Sequence, residues 1–365
     1  MPKARTKSLG KENSYLRKTP NEKLIFLPKT ADRCENRKSD FDKKYFAIFA
    51  LPAFHGNMLC SILAKSGKQK PKRKKILMIE TSVKFRGEAE TIFSETKRMD
   101  LDKKFTLGSS ITEEQFEFFN EYGFIHFTNV LKPEVVAKMI DEVNRIQQDW
   151  IDNDYEKVNG IPIRFGKDEN GNKIVQRFAF ASLHSEYLHE IVKDDRIQNL
   201  KLFIGEEARL TENERDGMVV NHYINTDESN YTKLGWHTDG VRDVFSHLKI
   251  DPMLNVGISL DDSPLSKGGL RVIPGSHRQS MFQMLFRKKY FVDNTPDKDE
   301  AIIETKAGDV TVHCGRMWHR VALSDLKGAA SRRRVIYVPI IAGKYKPKHE
   351  NSRTPFHHKF RHFVK

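Results

Sequence analysis

Cysteine is scarce in this chain. There are three in 365 residues, Cys34, Cys60 and Cys314, and no Cys-x-x-Cys. That argues against a disulfide framework, and it suits a reducing, cytoplasmic compartment. Long apolar runs are missing too. The nearest approach, "YFAIFALPAFHGNMLCSILA" (45–64), is interrupted by Pro52, His55, Gly56 and Asn57. Each half is too short to cross a bilayer, so no transmembrane segment is expected. The stretch lies too deep for a signal peptide, and the acids before it argue against a transit peptide. A small helical hairpin or a surface segment is expected there. No internal repeat is present.

The central part lacks an excess of positive charge, although the chain as a whole carries +14. Residues 1–105 hold 26 Lys and Arg against 12 Asp and Glu, and residues 346–365 hold 6 against 1. Residues 106–345 hold 31 against 36. The basic surplus therefore belongs to the two ends, and the acidic body argues against nucleic acid as its partner. Three parts are expected: a flexible basic extension (1–105), a globular body (106–345) and a basic tail (346–365). Within the extension, "KQKPKRKK" (68–75) reads as a solvated basic run. Met78 or Met99 would each open a chain that keeps the whole body.

The body begins with helices. "SSITEEQFEFFNEYG" carries a capping box, Thr112 with Gln115, then Phe116 and Phe119 at helical spacing and Gly123 as a stop. "GFIHFTNVL" reads as a short strand. Pro133 opens the next helix, 132–150, with Val136, Met139, Ile140, Val143 and Ile146 on one stripe. A third helical stretch runs from Ser185 to Gly205. Beyond it the pattern turns to strands: 218–225, 254–262, 268–277, 301–315 and 332–343 are rich in Val, Ile and aromatics between turn residues. Helices followed by a run of strands predict an α+β, mainly β chain. Its core would be a double-stranded β-helix (a jelly roll, cupin-like) flanked by N-terminal helices.

Within the strand region, "GWHTDG" (235–240) places His237 two residues before Asp239. On a strand, i and i+2 share a face. The tripeptide decides nothing alone, since the chain has 14 histidines. A partner lies 80 residues on: His319, in "GDVTVHCGRMWHRV". Two histidines and a carboxylate form a facial set that leaves three positions open on Fe(II). Two suit a bidentate 2-oxo acid and one suits O2. A closed zinc site would want four ligands, usually including Cys, at short spacing. A 2-oxo acid with a distal carboxylate also needs a cation, and "SRRRVIY" (331–337) offers one. Alternation points Arg333 inward if Val335 and Tyr337 share the pocket side, or Arg332 and Arg334 if Ile336 does.

From about Ile111 to Tyr345 the chain resembles the phytanoyl-CoA dioxygenase family of Fe(II)/2-oxoglutarate oxygenases. The pieces occur in order: the opening helix–strand–helix, "GWHTDG", "GGLRVIPGSHRQ", "AGDVTVHCGRMWH" and "RRVIYVPI". The resemblance implies iron ligands His237, Asp239 and His319, with Arg333 on the far carboxylate of 2-oxoglutarate. The loop "SDLKGAA" is longer than usual, which leaves Arg334 as a rival. His222 falls where the family contributes a cosubstrate contact. Trp236 and Trp318, beside the ligands, are expected to pack around the site, and either could line the substrate pocket. The family often has an aromatic near Gly257, so its absence implies a wider pocket or shifted 2-oxoglutarate contacts. Carboxylate Asp239 implies oxygenation rather than halogenation. The implied reaction hydroxylates an unactivated C–H of a small-molecule, lipid or carrier-tethered substrate and releases succinate and CO2. The alternatives are a silent jelly-roll binding protein and a nucleic-acid-associated protein.

Other candidates are set aside here. His184-x-Glu186 lies in a helical pattern, where i and i+2 diverge. His313 competes with His319 only if one strand runs unbroken through both. His277 reads as a turn or rim residue. Ser276 and Cys314 lack any triad context.

Overall fold

The computed structural model describes residues 100–355, apart from 230, 242 and 244–249. These lie in one compact unit, Thr91–Lys365. The apolar stretch 45–64 and the basic run 68–75 fall outside the described residues.

α1 (Glu113–Tyr122) starts where its capping box predicts: Thr112 Oγ1 accepts from the Gln115 amide, and the Gln115 side chain accepts from the Thr112 amide. It ends at Gly123, whose φ of 77° is left-handed. β1 (Phe124–Phe127) follows. α2 (Pro133–Asp152) has proline in its first turn and buries Val136, Met139, Val143, Ile146 and Trp150. The third helical stretch breaks instead into α3 (Glu186–Val192), α4 (Asp195–Asn199) and a 3-10 turn over Leu200–Phe203. The cause is local, because the Asp194 carboxylate accepts from the Arg196 amide and starts a new helix.

Between α2 and α3 lie four strands absent from the sequence reading: β2 (Lys157–Val158), β3 (Ile161–Pro162), β4 (Arg164–Lys167) and β5 (Lys173–Phe178). The last two form a hairpin across "DENGN", closed by Asp168, which accepts the amides of Asn170 and Asn172. The Asn170-Gly171 pair was the available signal.

β6 (Arg209–Leu210) precedes the jelly roll. β7 (Val219–Asn225), β9 (Met253–Ser259), β12 (Val310–Cys314) and β14 (Gly328–Ile341) lie in the large sheet, in the order β1-β12-β9-β14-β7-β5-β4, with β6 also on β14. β8 (Leu234–His237), β10 (Gly269–Val272), β11 (Ala301–Ile303) and β13 (His319–Ala322) form the small sheet, in the order β11-β10-β13-β8. All their pairings are antiparallel. The chain alternates between sheets, which is the double-stranded β-helix expected.

Alternation along the large sheet positions the site. Leu254, Val256, Ile258, Val310, Val312, Ile336 and Val338 join the same core as Val136, Met139, Val143 and Trp150. Each such side chain contributes roughly 1.5–3 kcal/mol by leaving water. The intervening residues, including Gly257, Ser259, Thr311, His313, Arg333, Val335 and Tyr337, therefore point the other way. Their register partners across the sheet are one another: Tyr337 with Gly257, Gly257 with Thr311, Val335 with Ser259. The inner face is thus polar while the helix-covered face is apolar.

The folded body exceeds 106–345 at both ends. Phe105 bridges to Phe127, the Lys346 amide donates to Glu214 Oε1 at 2.7 Å, and the Lys348 amide to the Asn213 carbonyl at 2.7 Å. Among the described residues no helix is long and apolar enough to cross a membrane.

Candidate metal centre

His237 ends β8 and His319 begins β13, and the two are direct partners in the small sheet. Their side chains therefore share a face, with ring centroids 4.0 Å apart. Asp239 lies past the strand end, in the turn, rather than on the strand with His237. That turn is held to the one after β12 by the Gly240 amide, which donates to the Gly315 carbonyl at 2.8 Å. One donor atom each from His237, Asp239 and His319 then lies within 4.8 Å of the others.

The proton positions favour a metal. His237 Nδ1 lies 2.8 Å from the Gly235 carbonyl, and His319 Nδ1 lies 3.0 Å from that of Met317. A carbonyl only accepts, so both Nδ1 atoms carry the proton. In a neutral ring so oriented, Nε2 carries the lone pair that a metal can take. Burial, then neighbouring His237 and His313, push His319 well below the usual histidine range, which keeps it neutral. Burial pushes Asp239 up, but His319, His313 and His237 around it prevail and hold it well below the usual carboxylate range. Its Oδ2 lies 3.8 Å from His319 Nε2 and accepts from Asn255 Nδ2 at 3.2 Å. Two imidazole nitrogens and one carboxylate, with no thiolate, suit Fe(II).

His237 has a cover that the sequence did not reveal. Phe291 stacks on its ring at 5.0 Å and 28°. Phe291 holds a left-handed φ of 62°. Its amide donates to the Trp236 carbonyl at 2.9 Å, and the Trp236 amide donates to the Asp293 carbonyl at 2.8 Å. Gly235 permits this approach, since a Cβ there would sit 2.5 Å from the Phe291 oxygen. Tyr290 adds a tie: its hydroxyl donates to the Met284 carbonyl and accepts from Thr238, between the two ligands.

Arg333, Val335 and Tyr337 line one cavity with Ser259, Ser263, Thr305 and Thr311. Of the two parities allowed by alternation, the structure has the one that turns Arg333 inward. Arg333 is 2% exposed and its Nε has no hydrogen-bond partner. No carboxylate pairs with it among the described residues. Burial draws its guanidinium below the usual arginine range, against the opposing influence of Tyr223 and Tyr337. It is seated on the Tyr223 ring at 4.5 Å. Tyr223 stacks on Tyr231 at 4.7 Å, and Arg164 caps Tyr231 at 5.1 Å. This column, two stacked rings between two cations, holds the guanidinium in place without an acid.

Two expected cosubstrate contacts are corrected. Arg334 faces away from the cavity and forks onto Asp261, with Nε and Nη2 at 2.8 and 2.7 Å. His222 pairs in register with Arg334, so it shares that outer face. The inward residue of β7 there is Tyr223, opposite Arg333. The expected substrate role of the tryptophans also gives way. Trp236 and Trp318 are fully buried in a small core cluster with Ile273, and Trp236 Nε1 donates to the Thr295 carbonyl at 2.8 Å.

The set-aside residues have other roles. His184 packs edge-on against Trp150 at 5.1 Å. His277 lies in a 3-10 turn, Ser276–Arg278, and its Nε2 lies 3.2 Å from the Asn120 carbonyl. Ser276 Oγ accepts the Trp318 amide at 2.9 Å. His313 is not on one strand with His319, because β12 ends at Cys314, yet the two rings are 4.5 Å apart. Gly257 has no room for a side chain. A Cβ would lie 2.9 Å from both Thr311 Oγ1 and Tyr337 Cε1.

Residues 119–322 match the profile of the family described as phytanoyl-CoA dioxygenase. A probable alpha-ketoglutarate-dependent hypophosphite dioxygenase of Stutzerimonas stutzeri is 26% identical over 178 residues, 47% of this chain and 54% of the relative. The match thus spans about half the length of that relative. Among solved structures, the non-heme alpha-ketoglutarate-dependent carbocyclase SnoK from nogalamycin biosynthesis superposes with a TM-score of 0.50. It is 16% identical over 72% of this chain and 94% of its own. HygX from Streptomyces hygroscopicus, solved with nickel and 2-oxoglutarate, has a TM-score of 0.47 and 16% identity over 65% of this chain and 90% of its own. At such identities the likeness is one of fold.

Proposed function

Since this chain belongs to the phytanoyl-CoA dioxygenase family, we propose that it is an Fe(II)- and 2-oxoglutarate-dependent oxygenase that hydroxylates a C–H bond of a small-molecule, lipid or carrier-tethered substrate. One observation carries this reading. Buried His237 and His319 and part-buried Asp239 form a compact donor set, and the same jelly roll holds a cavity walled by buried Arg333, which has no acid partner among the described residues. An unpaired guanidinium in a protein interior is costly unless a ligand neutralises it. A dicarboxylate reaching from the donor set to Arg333 does so.

His237, Asp239 and His319 would hold Fe(II). Bound there, the metal supplies the O2 chemistry that couples decarboxylation of 2-oxoglutarate, to succinate and CO2, with oxidation of the substrate. The chain's own residues orient and protect. The Gly235 and Met317 carbonyls fix both imidazole tautomers. Asn255 restrains Asp239, and Phe291 covers His237. Arg333, fixed on Tyr223, binds the far carboxylate through two parallel bonds. The hydroxyls of Ser259, Thr305 and Thr311 line the same cavity as hydrogen-bonding groups.

The test is anaerobic titration with Fe(II) and 2-oxoglutarate, watched for the weak visible metal-to-ligand charge-transfer band. A band that needs both additions and is lost in His237→Ala supports the assignment. Its absence from folded, metal-loaded protein overturns it.

A further inference from the structure

One buried side chain beside the donor set has no use in the assignment above. His313 is 1% exposed, and neither ring nitrogen has a hydrogen-bond partner. Its Nε2 lies 3.7 Å from Asp239 Oδ2, beyond hydrogen-bond reach. The compact donor set is His237, Asp239 and His319, and His313 stands outside it. It is therefore next to the metal ligands without being one.

Its register partner, Asn255, repeats the pattern. Asn255 Nδ2 donates to Asp239 Oδ2, while Asn255 Oδ1 is buried and unpartnered. A neutral imidazole carries one N–H and one lone pair, and burying both unmatched is unfavourable. Three orphaned polar atoms thus lie in one row across β9 and β12, at the metal end of the inner face. From that row the face runs past Thr311, Gly257 and Tyr337 to Arg333. This face has hydrogen-bonding groups at one end and a cation at the other. A ligand with acceptor oxygens at both ends matches it.

We infer that His313 is a cosubstrate-binding residue, whose ring N–H holds the carboxylate beside the keto group of a 2-oxo acid anchored on Arg333 at its other end. The inference rests on the oxygenase reading and extends it to a residue outside the ligand set. The site thereby recognises both ends of the cosubstrate with protein groups, and does not leave the near end to the metal alone.

The experiment uses the full-length protein, anaerobic and loaded with Fe(II): wild type, His313→Leu and His313→Gln. Fe(II) affinity is measured first without cosubstrate. 2-Oxoglutarate is then titrated by calorimetry and by the charge-transfer band, with melting curves as a folding control. Loss of one hydrogen bond to a charged group predicts that His313→Leu weakens 2-oxoglutarate binding about 10-fold or more. Fe(II) affinity stays within about 3-fold, because no metal ligand is removed. The band shifts, and His313→Gln, which keeps an N–H donor, recovers part of the affinity. Wild-type 2-oxoglutarate affinity in His313→Leu overturns the inference alone. So does loss of Fe(II) and 2-oxoglutarate binding in equal proportion, which marks a ligand or scaffold residue. If wild type itself takes up no 2-oxoglutarate, the oxygenase reading falls and this inference with it.

Discussion

Arg333→Met separates a ligand-binding cation from a structural one, because the two roles predict opposite signs. In the free protein Arg333 is 2% exposed and has no acidic partner among the described residues. Replacing it with an apolar chain of similar length removes an uncompensated buried charge, so stability should hold or rise. Cosubstrate binding should collapse. The guanidinium offers a carboxylate two charge-assisted bonds, each worth about 1.5–3 kcal/mol, and the variant leaves that carboxylate unpaired in a cavity. A loss of about 3–4 kcal/mol, two to three decades in Kd, is expected. Arg334→Met is the control. Its guanidinium is matched to Asp261, with side chains 12% and 18% exposed. Breaking that pair should cost about 1–2 kcal/mol of stability, discounted for partial exposure, and leave 2-oxoglutarate binding nearly unchanged. Calorimetric titration of 2-oxoglutarate and urea unfolding of the metal-free proteins read out both axes. The reasoning is refuted if Arg333→Met destabilises the protein and leaves 2-oxoglutarate affinity intact.

Two further outcomes follow from the same geometry. Burial, then Arg334 and Arg332, holds His222 down to about 4. The unfolded chain takes up that proton near pH 6.5. The contribution to stability is therefore full above pH 6.5 and is lost as the pH falls towards 4, by at most about 3 kcal/mol. In urea unfolding at pH 7.5, 5.5 and 4.5, His222→Phe should flatten this slope; an unchanged slope refutes a neutral buried imidazole. Gly257→Ala should place a methyl 2.9 Å from Thr311 and Tyr337. A cost of about 1–3 kcal/mol and weaker 2-oxoglutarate binding are expected. A variant as stable as wild type, with unchanged affinity, would show that the cavity wall gives way freely.

Much of this architecture was legible in local signals. α1 and α2 carry their own caps and stripes, so chain-local hydrogen bonding and one apolar face suffice to define them. The β4–β5 hairpin was legible too, through Asn170-Gly171, but its strands are short and mixed in polarity. Asp194 divided a helix because a short carboxylate competes for backbone amides at a position that periodicity alone reads as continuous.

The candidate centre divides along the same line. By itself the sequence determined the residue types, His237, Asp239, His319 and an arginine among three, since their chemistry and order are visible in one dimension. It also limited the inward arginine to two parities. Only the tertiary structure decided between them, because parity depends on which face of β14 the helices cover. The same pairing moved His222 outward and brought in Tyr223, one residue away, since a single step along a strand reverses the face. Phe291 and His313 were beyond the sequence for a different reason. They reach the centre across sheets and turns, where contact follows from packing and carries no trace in spacing.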